Sequence, residues 1–287
     1  MMTNVAVRTS VHAEPELAAL AEHIERRAWR DLVAAAPQWL RRTTGVAIDE
    51  VGGAMLLIAP GLNHLLFNRV IGLGEHAAAT PELIAEVMGR YWDLSIERYW
   101  VHVGPYARPA RLRRMLQEQG LTPYRRSWVK LIRPGQRAAP VYGEAVVREA
   151  TAEDAIAVAS VIGSGFDLPQ AAAEIFGQLI GRRGWRMYVA EIDGEIAGAA
   201  GLFIEADAAY LPFAATRPEF RNRGVQRALI ATRINAAADA DAHWIATETG
   251  FPLTADEASP SYRNLLWCDF RAIAIRDNYA LPGTVWK

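Results

Sequence analysis

Apolar and polar positions follow two periods along the chain, and their order is clearest after residue 145. AVVREA (Ala145–Ala150) reads as a short strand, and TAEDAIAVASVIGSGF after it reads as a helix. Thr151 stands three residues before Asp154, the spacing of a capping box. AAAEIFGQLIGRR gives a second helix. WRMYVAEIDGEIAGAAGLFIEADAAYLPFAAT then alternates as a strand meander, with Asp193-Gly194 as a hairpin signal and a further turn at EADA. VQRALIATRINAAADA spaces Val225, Leu229 and Ile234 at roughly helical intervals, HWIATET is a strand, SYRNLLWC a short helix and FRAIAIRD a last strand.

The first half is less regular but ends in the same way. GGAMLLIAP and HLLFNRVIGLG read as paired strands, and TPELIAEVMGRYW as a helix with Pro81 in its first turn. RYWVHVGP follows as a strand, RPARLRRMLQEQG as a helix closed by Gly120, and PYRRSWVKLIR as a strand. Each half therefore finishes helix, strand, helix, strand. Between them RPGQRAAPVYGEA (Arg133–Ala145) breaks the pattern, which divides the chain into residues 1–138, a linker at 139–145, and residues 146–287. No short fixed period recurs, which excludes a solenoid.

With 287 residues, 51 % of them hydrophobic, two ordinary domains with sizeable cores are expected. The formal net charge of −1 provides no global field for nucleic acid or an anionic membrane, so any anion site is local. Cys268 is the single cysteine, which excludes an internal disulfide and a multi-cysteine zinc centre, and the six histidines show no metal-ligand spacing. The opening MMTNVAVRTSVHAEPE has no apolar run of leader length and no later run reaches membrane-span length, so a cytoplasmic protein is expected.

One stretch carries more chemistry than its neighbours. RNRGVQRAL, Arg221 to Leu229, lies where a strand gives way to a helix. Such a junction leaves backbone N–H groups free at the positive end of the helix dipole. Gly224 permits close approach of a phosphate, and Arg221, Arg223 and Arg227 add charge. On these residues alone, a phosphate cradle and an ordinary solvated helix start both remain open. At the end of the strand HWIATET, Glu248 is a candidate general base or a solvated carboxylate, with Glu205 a second candidate. Pro212 lacks an N–H and marks an edge, bulge or break in strand pairing.

ATRPEFRNRGVQRALI resembles the acyl-CoA-binding segment of the GNAT superfamily of CoA-dependent N-acyltransferases. There a strand ends in a V-x-P-like step and leads into Q/R-x-x-G-x-G/A at the head of a helix. The matching residues are Thr216-Arg217-Pro218, then Arg221, Asn222, Arg223, Gly224, Val225 and Gln226. The order of elements fits from about Val146 to Tyr279, and the first half resembles a degenerate copy whose RVIGLGEHAAATPEL lacks the arginine-glycine cradle. The resemblance implies a mixed α/β chain of two GNAT-like domains, each a mostly antiparallel mixed sheet flanked by helices. The second would bind acetyl-CoA or coenzyme A without a metal, and none is expected in the first.

It further implies direct attack of an amine on the thioester. Phe213, Ala214, Ala215 and Thr216 would offer backbone groups to the pantetheine and acyl carbonyl, and Asn264 resembles a pantetheine-contacting asparagine. Three positions depart from the pattern: Gln226 replaces a small residue, Asp269 a glycine, and Leu265 the tyrosine that protonates the leaving thiolate. Tyr262, nearly one helical turn before Leu265, is a substitute phenol or a surface tyrosine. Cys268 either approaches the CoA thiol or is buried as a small apolar residue. Tyr91, Trp92, Tyr99 and Trp100 suit a core, the domain interface or an acceptor cleft. The expected acceptor is a small-molecule amine and the expected state a monomer, with a homodimer as alternative. A non-catalytic acyl-CoA-binding module and a protein N-terminal or lysine acetyltransferase are the competing functions.

Overall fold

Residues 15–35 form a 21-residue helix, α1, whose buried face runs through Ala21, Ile24, Ala28 and Leu32 but also carries Glu22 and Glu25. The computed structural model describes residue 11, residues 14–252 and residues 254–285, so most of the opening segment assessed above for a leader lies outside the described residues. No element was expected at α1, where Glu22 and Glu25 lie among the apolar positions of the buried face. The structure buries them against cations supplied from distant strands.

The remaining first-half elements are α2 (Gln38–Thr44), β1 (Ala47–Val51), β2 (Ala54–Ile58), β3 (Arg69–Ile71), α3 (Pro81–Asp93), β4 (Trp100–Val103), α4 (Leu112–Glu118), β5 (Thr122–Pro123) and β6 (Trp128–Pro134). Thr80 caps α3 by accepting from Leu83 N, and Pro81 occupies its first turn. HLLFNRVIGLG is a strand only at Arg69–Ile71, because Asn68 turns its amide onto the Leu62 and His64 carbonyls and fixes the preceding residues as a tight loop.

The second half follows as β7 (Val146–Glu149), α5 (Ala155–Gly165), α6 (Gln170–Gly177), β8 (Trp185–Ile192), β9 (Glu195–Glu205), β10 (Ala208–Leu211), β11 (Ala214–Thr216), α7 (Val225–Ala238), β12 (Trp244–Gly250), α8 (Pro260–Trp267) and β13 (Arg271–Ala280). The capping box at Thr151 and Asp154 is present and leads through a single 3-10 turn into α5.

Neighbouring strands run in the order β1-β2-β3-β4-β13-β6-β12-β10-β9-β8-β7. Pairing is antiparallel except at β3–β4 in the first half and β10–β12 in the second. Each half thus repeats an antiparallel meander followed by one parallel neighbour. The halves also exchange their last strands. β6 inserts between β12 and β13, and β13 pairs with β6 over Arg271–Arg276 before pairing with β4 over Asp277–Tyr279. The fold is therefore mixed α/β, with helices flanking mixed sheets that join into one continuous surface.

Candidate functional site

The strands of the second half part at Pro212. β10 and β12 stay in parallel register through Leu211 and Thr247, where the Thr247 hydroxyl donates to Leu211 O at 2.8 Å. Proline has no N–H to continue the ladder. Beyond it, β11 pairs with β9 while β12 continues to Gly250 beside β6. The opening contains a cavity of about 230 Å³ between Leu211, Pro212 and Ala214 on one side and Thr247, Glu248 and Thr249 on the other. Gln226, Ile230 and Arg233 form an i, i+4, i+7 stripe of α7 along its wall, and Ser261 and Leu265 of α8 face it.

The expected backbone segment Phe213, Ala214, Ala215 and Thr216 lies at this opening. Its direction is fixed by Phe213, whose ring is buried against Trp29 at 5.3 Å and Phe176 at 4.7 Å. Trp29 belongs to α1, so the first half braces the site strand.

The arginine-rich loop follows through Pro218–Phe220, a 3-10 turn. Asn222 has φ +65° and Gly224 φ +80°, and the space a Cβ would enter at Gly224 is open. No side chain caps α7, and Ala228 N to Gly224 O at 3.1 Å closes its first turn. The N–H groups of Val225, Gln226 and Arg227 are thus left at an open helix start, a fit for a phosphate-bearing ligand.

The flanking side chains are not equivalent. Arg221 is exposed. Arg223 pairs with Glu144 and lies 3.4 Å from Asp193. Arg227 donates to Asn264 Oδ1 at 2.9 Å and rests over the Trp267 ring, while Asn264 Nδ2 donates to Gln226 Oε1 at 2.7 Å. Asn264 therefore clasps the start of α7 to α8. In the first half, a Cβ at Gly72 would meet Arg26 Nη1 at 2.7 Å, so the junction between β3 and α3 is filled by the chain's own guanidinium.

Glu248 is in the cavity wall with its carboxylate nearly buried. Its Oε2 lies 2.5 Å from Arg276 Nη2 and 3.1 Å from Lys130 Nζ, and Oε1 is 3.7 Å from Arg69 Nη1. Arg276 and Lys130 also hold Glu22 and Glu25. Burial pushes the Glu25 carboxyl up, but Arg276 and Lys130 outweigh it and hold it well below the usual range. Glu22 is dominated by burial and is pushed up to about 7 despite the same two cations. Hydropathy did not reveal this network, because its members are spread over α1, β3, β6, β12 and β13.

Glu205 is bound by Arg27 through two contacts of 2.6 and 2.7 Å and does not line the cavity. Tyr262 is half-buried beside the lining pair Ser261 and Leu265, and burial raises its phenol. Cys268 is buried at the end of α8 with its thiol pushed up to about 11 by burial. Tyr91, Tyr99 and Trp100 are core residues, with the two tyrosines stacked at 4.2 Å, whereas Trp92 is exposed. Among the described residues no helix is long and apolar enough to cross a membrane, and no acidic, histidine or cysteine group is arranged to hold a metal.

Residues 124–247 match the family model described as the acetyltransferase (GNAT) domain. No curated protein matches the chain. Among solved structures, a GCN5-related N-acetyltransferase from Kribbella flavida is 15 % identical with a TM-score of 0.61, covering 88 % of this chain and 95 % of that one. A functionally unknown conserved protein from Staphylococcus epidermidis is 8 % identical with a TM-score of 0.55, covering 86 % and 98 %. A tandem GNAT protein from the clavulanic acid biosynthesis pathway is 13 % identical with a TM-score of 0.54, covering 94 % and 96 %. Residues 124–247 are thus similar to a GNAT acetyltransferase domain, and the chain shares its overall fold with these solved structures, a tandem GNAT protein among them.

Proposed function

We propose that the second half binds acetyl-CoA at the open start of α7 and transfers the acetyl group to an amine of a small molecule. The observation that carries this reading is a continuous one: the uncapped helix start at Gly224 and the cavity at Pro212 share the α7 stripe beginning at Gln226. The helix start would hold the pyrophosphate through the N–H groups of Val225, Gln226 and Arg227, with Arg221 adding charge. Bound there, the thioester supplies the activated acyl group. The opened strand pair would orient it, and Glu248, the one carboxylate among the described residues of the cavity wall, would receive the amine proton through water.

A second reading, a non-catalytic acyl-CoA-binding module, is favoured by two observations. Glu248 already has Arg276 and Lys130 as partners, and Leu265 places an aliphatic group where the resemblance implies a phenol. Thiol release from acetyl-CoA, measured across a panel of small amines with mass spectrometry of the products, separates the two. Amine-dependent release with an N-acetylated product supports the enzyme. Saturable CoA binding without release over the whole panel supports the module.

A further inference from the structure

The cavity contains a positive charge that the chain does not neutralise. Arg233 is 2 % exposed and lies in the cavity wall between Ile230 and the parting strands. Its Nε donates to Leu229 O and its Nη1 to Gly201 O, each at 3.0 Å. Among the described residues Nη2 has no acceptor and no carboxylate lies within ion-pair reach. Its ionisable neighbours are Cys268 and Tyr188, both held in their neutral forms by burial. Among the other buried cations, Arg69, Lys130 and Arg276 all face Glu248, and Arg133 places all three of its donor nitrogens on carbonyls, whereas Arg233 places two. Burying an unpaired guanidinium is costly, and such a group is stabilised by any anion that enters beside it.

The anchor at Gly201 puts this charge where the strands part. Gly201 N donates to Phe213 O at 2.9 Å, and a Cβ on Gly201 would lie 3.6 Å from Pro212 Cγ. Arg233 is nine residues into α7 from Gly224, about 13 Å along the helix from the open start. It is therefore separate from the groups that would hold the CoA phosphates. One guanidinium, in a wall whose other charged side chain is Glu248, itself paired with Arg276 and Lys130, matches a single negative charge better than a phosphate dianion.

We propose that Arg233 recognises a carboxylate at the reacting end of the cavity. The inference rests on the acyl-CoA reading above. The carboxylate belongs either to the acyl donor, as the distal group of a dicarboxylic acyl-CoA, or to the acceptor, as an amino acid.

Calorimetric titration of the full chain with acetyl-CoA and with succinyl-CoA tests the first source, using wild type, Arg233→Lys and Arg233→Met. A wild-type preference of tenfold or more for succinyl-CoA is expected, kept in part by Arg233→Lys and reduced to about one by Arg233→Met. The second source is tested by thiol release from acetyl-CoA with amino acids against the corresponding amino-acid amides. There the expected preference is for the free carboxylate, again lost in Arg233→Met. Acetyl-CoA binding with neither preference, or a preference that persists in Arg233→Met, overturns the role of Arg233. If wild type binds no CoA thioester, the acyl-CoA reading falls, and this inference falls with it.

Discussion

Lys130 lies directly opposite Glu248 in the register of β6 and β12, and its ammonium is 3.1 Å from the Glu248 carboxylate. The two residues come from different halves of the chain, so one ion pair joins the exchanged strand to the cavity wall. Lys130 also contacts the buried Glu25 of α1. Removing one partner from a buried network leaves a charge uncompensated, which costs about 3–5 kcal/mol. Lys130→Met should therefore lower unfolding stability by about that amount in urea titrations, whereas a surface change such as Arg114→Met should have little effect.

Strand exchange also predicts a steric constraint at the end of β6. A Cβ on Gly135 would lie 1.5 Å from Ala242 O, and Gly135 N donates to His243 O at 2.9 Å. Gly135→Ala should displace β6 from β12 and destabilise the fold by about 3 kcal/mol or more, read as a lowered urea midpoint.

Glu22 gives a pH dependence of defined sign. Burial raises its folded-state pKa to about 7, above the ordinary 4.5 of the unfolded chain. Between those values the folded state binds more protons, so this group's contribution falls as pH rises from about 4.5 to about 7. Glu22→Gln removes the titration. The variant should show a flatter stability–pH profile between pH 5 and 8 than wild type, measured by denaturant unfolding.

Much of the second half was legible because its signals are local. Asp193-Gly194, the Thr151 capping box and the Gly224 junction depend on residues close in sequence, and the structure contains all three. The missing donor of Pro212 left an edge, a bulge or a break in pairing open, and the structure shows the break. What local pattern could not show was long-range. Glu22 and Glu25 carry no local mark of their partners, because Lys130 and Arg276 reach them from distant strands. For the same reason Glu248, read as a strand-end carboxylate, gave no sign of its three cationic neighbours. Arg233 carries no sequence signal, because a single arginine in a helix is ordinarily solvated, whereas here it is buried in the α7 stripe.

The position of Glu248 makes a kinetic prediction. Glu248→Gln keeps the size of the side chain but removes its capacity to take a proton. With an amine that supports turnover, kcat should fall by about 100-fold or more, with a much smaller change in the KM for acetyl-CoA. Unchanged kcat would remove Glu248 from the chemistry.

The central claim, that the open start of α7 holds the CoA phosphates, is tested most directly by calorimetric titration of the full chain with acetyl-CoA. Wild type should bind one equivalent, and an Arg221→Ala, Gly224→Asp double variant with an unchanged melting profile should lose at least tenfold in affinity. The aspartate would bring a like charge against the incoming phosphates, where the wild-type chain offers open space. Equal affinity in a folded double variant would contradict the claim.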